Sequence, residues 1–199
     1  MKIGAWCKGL LTILPVIGLA ACLASDPPKL QSEDLTAPSG FTGAYYASRF
    51  PDSTDGSPQT IDAIVSLDAD RSYQLTFLEG EHKDDPVVVR LVTLNAGTLL
   101  AVMTDPKPDS DAIYAEVTVA SNGAWVFRMI DLAATKRTRA VQEALLRHGA
   151  TGITYDTGDL QQDQIHGGLT AANLRALFSD PDFVNAIDTS SGFRLSPKH

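Results

Sequence analysis

Between Gly40 and Asp131 the chain repeats one arrangement, short runs with apolar residues at every second position, separated by turn-forming clusters. Successive side chains of a strand point to opposite faces, so a period of two marks a strand with one buried face. Ile61, Ala63, Val65 and Leu67 show it, and Tyr73, Leu75 and Phe77 resume it after Asp68-Ala69-Asp70. Phe41 to Phe50 reads as an earlier strand. Val87 to Leu94 is nearly all β-branched or leucine, which suggests a central strand, and Asn95-Ala96-Gly97 turns the chain into Leu99 to Met103. Gly80 to Asp85 is a charged turn, and Asp105 to Asp111, with Pro106 and Pro108, is an exposed loop. Ile113, Ala115, Val117 and Val119 alternate again. Asn122-Gly123 then supplies the two φ > 0 residues of a tight hairpin, and Trp125, Phe127 and Met129 form the face of the last strand. Strands at this spacing, joined by turns, predict an antiparallel meander of about six or seven strands.

After Asp131 the period changes. Val141, Ala144 and Leu145 recur at helical spacing, Arg139, Glu143 and Arg147 stand four apart on the opposite face, and Gly149 is a natural stop. Thr170 sits where an N-cap belongs, ahead of a helix carrying Leu174, Leu177 and Phe178. Asp180-Pro181 ends it or starts a last turn that buries Phe183, Val184 and Ile187, and Phe193 to Leu195 is a short strand. The expected fold is therefore α+β, the meander followed by two or three helices. Its expected core includes Val65, Phe77, Val89, Leu91, Val117, Phe127, Leu145, Leu174 and Phe178.

Ahead of the meander the chain has a different character. Lys2 and Lys8 give a positive start, Gly9 to Ala20 is apolar, and small residues follow, which is the layout of a secretory signal. A run of about a dozen apolar residues is too short to cross a bilayer that requires about 20. It ends on Leu19-Ala20-Ala21-Cys22, which closely resembles the lipobox of bacterial lipoproteins. That resemblance implies cleavage before Cys22 and acylation of its thiol, and usually of the new amino terminus too. It also implies a cell-envelope location. Leu23 and Ala24, with no aspartate next to the cysteine, favour the outer membrane facing the periplasm if the source is Gram-negative. In outline the domain is similar to small uncharacterised bacterial envelope lipoproteins that follow a meander with a helix opening on Leu-Thr-Ala, here Leu169-Thr170-Ala171. The likeness spans roughly residues 60 to 180 and carries no activity with it. Residues 1–21 are thus expected as a signal peptide and 22–39 as an acylated cysteine with a flexible tether, broken by Pro27, Pro28 and Pro38. Residues 40–199 are expected as one globular domain.

The chain has 199 residues, 44% of them apolar, which is enough to build one real core. Its formal charge of −8 deepens when Lys2 and Lys8 leave, so nucleic acid is an unsuitable partner and anionic lipid offers no electrostatic hold. Membrane affinity must come from acyl chains on Cys22, at about 0.8 kcal/mol per buried methylene. Cys7 leaves with the signal, so the mature domain has neither a free thiol nor a disulfide, and thiolate chemistry is excluded.

Asp156, Asp159, Asp163 and His166, ahead of Gly167-Gly168, form the densest polar cluster. Carboxylates suit calcium and imidazole suits zinc, but the spacing fits neither an EF-hand nor a zinc helix motif, and Asp and Gly are what any exposed turn uses, so a plain loop is the expected reading. No cofactor, metal ligand or catalytic residue is assigned, and no nucleophile elbow, P-loop or dinucleotide fingerprint occurs. Tyr45, Tyr46, Tyr73, Phe77, Tyr114, Trp125 and Phe127 are expected as core and cross-strand packing, or as the walls of a small apolar ligand site. The expected function is a non-enzymatic envelope module that binds a partner protein or a small ligand. The alternative is a hydrolase or metal-dependent enzyme using the Asp156–His166 loop.

Overall fold

The computed structural model describes residues 23–50, 60–79, 86–95, 98–107, 109–132, 136–155 and 163–198. Strand β1 (Ala24–Ser25) and a 3-10 turn (Ser32–Asp34) come first. Seven strands then follow in chain order: β2 (Gly43–Phe50), β3 (Thr60–Leu67), β4 (Tyr73–Phe77), β5 (Val87–Asn95), β6 (Thr98–Thr104), β7 (Ala112–Val119) and β8 (Trp125–Met129). Each pairs antiparallel with the next. After them run β9 (Asp131–Leu132), α1 (Arg139–Arg147), β10 (Gly152–Thr154), β11 (Gln164–His166), α2 (Ala171–Leu177), α3 (Pro181–Val184), β12 (Ile187–Asp188) and β13 (Gly192–Pro197).

The last strand corrects the expected architecture. β13 pairs antiparallel with both β2 and β8, from Gly192↔Phe50 to Pro197↔Tyr45 on one side and from Gly192↔Arg128 to Leu195↔Trp125 on the other. Eight strands therefore close into an antiparallel barrel, in the ring order β7-β6-β5-β4-β3-β2-β13-β8, with β1, β10 and β11 added outside it. The fold is not an α+β meander followed by helices. The described helices are short, and they sit in the connection between the seventh and eighth barrel strands. Closure removes the two edges that an open meander would expose.

The barrel is filled by its own side chains. Inward positions alternate along every strand, among them Tyr45, Val65, Tyr73, Phe77, Val89, Leu91, Met103, Val117 and Phe127, all buried. Phe41 packs against Trp125 at a centroid separation of 4.6 Å, and Phe127 stacks on Phe193 at 4.5 Å. Such aromatic pairs each contribute about 0.5–1.5 kcal/mol beyond burial of their area. Of the aromatic residues expected inside, Tyr46 faces solvent instead, and Tyr114 points outward into a second core.

That second core explains the nearly continuous apolar run of β5, and it covers the outer faces of β5, β6 and β7. Their outward residues Val92, Leu100, Val102, Ala112 and Tyr114 meet Val141, Ala144 and Leu145 of α1, Leu174 and Leu177 of α2, and Phe183 of α3. Where these strands are covered on both faces, apolar residues stand at outward positions too. Of the expected core, only Phe178 is partly exposed. The helix starts follow local chemistry: Thr138 accepts from the Val141 N–H, Thr170 forms a capping box with Asn173, and Asp180 caps α3 with Pro181 in the first turn.

Candidate functional site

The stretch from Leu23 to Ser39, expected as a tether, runs along the barrel. Leu23 is fully buried in the second core, and its N–H donates to the Ile130 carbonyl at 2.8 Å. β1 lies between β7 and β11, antiparallel to the first and parallel to the second. The Ala24 N–H donates to Asp163 O, Asp26 to Ile165 O, Lys29 to Leu169 O and Thr36 to Leu91 O, at 2.8–2.9 Å. Leu35 is buried as well. Prolines 27, 28 and 38 leave room here for no more than the short 3-10 turn, but an extended chain beside an exposed strand edge requires only alternate donors. Cys22 lies outside the described residues.

A polar cluster surrounds the point where Leu23 enters. Asp163 is fully buried and pairs with Arg137 at 2.9 Å, and the Arg137 guanidinium lies over the Tyr155 ring, 5.5 Å from its centroid. Asp131, at the start of β9, is held up to about 6, first by burial and further by the charges of Asp163 and Asp188, against the lowering effect of the Leu132 N–H and Arg137. Its Oδ1 and the Tyr155 hydroxyl are buried with no hydrogen-bond partner among the described residues. A buried ion pair of this kind is costly to break, because removing one partner leaves an uncompensated charge.

The structure separates the described members of the sequence cluster. Asp156 and Asp159 lie outside the described residues. Asp163 turns into the protein toward Arg137, while His166 lies on the other face of β11, with Nε2 2.7 Å from Thr154 Oγ1 and Nδ1 3.5 Å from Asp26 Oδ1. Three residues apart on an extended chain, the two side chains take opposite faces. Asp111 stands near this second group and its carboxyl is raised, first by burial, then by Asp26, with His166 opposing. Among the described residues no three His, Cys, Asp or Glu side chains gather as a cation site.

His148 follows the end of α1, and its Nε2 lies 2.8 Å from Asp180 Oδ2, which also receives Arg147. Asp180 is thereby held below the usual carboxylate range, first by the His148 hydrogen bond. These contacts fasten α1 to α3. A cleft of about 300 Å³ separates Pro27, Pro28 and Leu30 from Arg90 and Thr104. Its charges are of both signs, Arg90 and Lys107 against Asp70, Asp105 and Asp109, so it selects no class of ion.

Sequence reasoning missed Leu23, Asp131 and Arg137 as members of one seat. The available signal was local, a leucine directly after the cysteine and an acidic residue closing an aromatic strand, and neither names its partner across the fold. No protein-family model matches the chain, and no curated protein or solved structure matches it.

Proposed function

We propose that the protein is a lipid-anchored component of a bacterial cell envelope, held by acyl chains on Cys22, which binds a partner protein and performs no chemistry of its own. The observation that carries the reading is Leu19-Ala20-Ala21-Cys22 at the end of an apolar signal of the right length. One structural feature supports it. The outward positions of the barrel include Asp62, Gln74, Glu116, Arg128 and Arg194, while the side chains that fill its interior are mainly apolar. This is the reverse of a barrel that crosses a membrane with its strands. Among the described residues no helix is long and apolar enough to cross either. Attachment by acyl chain suits such a body, and two or three chains on one cysteine make it durable.

The filled barrel directs any partner to the outer surface. Asp163 and His166, the two described members of the loop named by the enzymatic alternative, take opposite faces and do not converge on each other. Intact mass of membrane-purified protein tests the anchor. The expected species lacks residues 1–21 and carries acyl mass on Cys22, and Cys22→Ser remains unprocessed or becomes soluble. Unmodified wild-type protein recovered in the soluble fraction refutes the reading. Crosslinking in intact envelopes, followed by affinity capture, tests the partner.

A further inference from the structure

We infer that the anchored domain lies flush on the bilayer, with the surface around Asp188, Asp131 and Lys136 set against phospholipid headgroups. The inference rests on the acylation of Cys22 proposed above and adds to it an orientation. A free tether over residues 23–39 would reach on the order of 50 Å. The structure removes that reach. Leu23 and Ser25 are 0% exposed and Ala24 1%, each built into the sheet or the second core. Adjacent Cα atoms stand about 3.8 Å apart, so an acylated Cys22 is covalently tied at that distance to a residue locked inside the fold.

The place where the chain arrives fixes the apposed surface. Leu23 is bonded to Ile130, which leads directly into β9. β9 pairs with β12 through Asp131↔Asp188, and Lys136, a few residues beyond, donates from Nζ to the Asn185 carbonyl at 2.6 Å. Asp188 and Lys136 are exposed and charged, so they remain among headgroups and do not enter hydrocarbon. β3 lies across the ring, four strands from β7 and three from β8. Its outward Ile64 is 43% exposed and faces away from the lipid in this arrangement.

The test uses acylated full-length mature protein in phosphatidylcholine vesicles that carry an acceptor dye on their headgroups. Single variants Asp188→Cys and Ile64→Cys receive a donor dye. The new cysteine is the sole free thiol, because Cys7 is gone and Cys22 is a thioether. Intact mass first confirms the acyl group. Energy transfer is expected to be strong at residue 188 and weak at 64. A Gly/Ser insert of about 16 residues between Cys22 and Leu23, with an r.m.s. reach of about 20 Å, is expected to abolish the difference without touching the fold. Equal transfer at the two positions in acylated protein without the insert overturns the orientation and leaves the anchor standing. A difference that survives the insert also overturns it, because the short connection then does not set the distance. A chain without acyl mass overturns both.

Discussion

Gly192→Ala tests barrel closure directly. An ideal Cβ on Gly192 stands 1.8 Å from the Phe127 carbonyl oxygen, 2.9 Å from its carbon and 3.1 Å from the Arg128 Cα. All three atoms belong to the backbone of β8, so no side-chain rotation relieves the clash. Ordinary contact requires the two strands to part by about 1.5 Å at this point. Overpacking of this kind costs about 1–3 kcal/mol and sometimes more. Parting the strands also weakens ladder bonds beside Gly192, where the Met129 N–H donates to Ser191 O, at about 1 kcal/mol each. The expected loss is about 3–5 kcal/mol, a large part of the 5–15 kcal/mol available to a typical domain. For a chain of this size that lowers Tm by about 10 °C. Trp125, buried in the barrel and the sole tryptophan of residues 22–199, reports unfolding in urea by fluorescence. Ser196→Ala, on the same strand and partly exposed, serves as the control. A change below about half a kcal/mol for Gly192→Ala would refute the β13–β8 pairing, because an unpaired strand accepts a methyl group there without cost.

Three further outcomes are expected. Asp131 carries a raised folded-state value of about 6, so the folded chain binds its proton more tightly than the unfolded chain, and the contribution to stability falls as pH rises from about 4 to 6. Asp131→Asn should therefore stabilise by about 1–2 kcal/mol at pH 8, after discounting for partial exposure, with the gain shrinking toward pH 4.5; an equal gain at both pH values would be contrary. Leu174→Ala, at a fully buried position in the second core, should cost about 2–5 kcal/mol by urea denaturation, and a loss under about half a kcal/mol would contradict its burial. Ala24→Pro removes the N–H that donates to Asp163 O, so hydrogen exchange at the Asp26 and Lys29 amides should accelerate while Trp125 emission is retained; unchanged exchange would show that β1 does not hold the arm.

The sequence by itself determined the local structure that depends on neighbours in the chain. Alternation at Ile61–Leu67 and Tyr73–Phe77 marked strands, since a strand half-buried on one side must alternate. Thr170 marked a helix start because its hydroxyl can satisfy an N–H three residues on. Leu19 to Cys22 carried the expectation of an anchor in the same local way. Tertiary structure alone decided the rest. Phe193 and Leu195 show an inward face, but nothing in them says that the face belongs between β2 and β8, so closure was invisible. The prolines of residues 27–38 limit helix to a short turn equally for a free arm and for one laid along β7 and β11. Asp163 and His166 are close in sequence, yet the extended backbone between them sends one to Arg137 and the other to Asp26. Pairing partners and side-chain directions depend on residues far away along the chain, and local pattern does not encode distance in space.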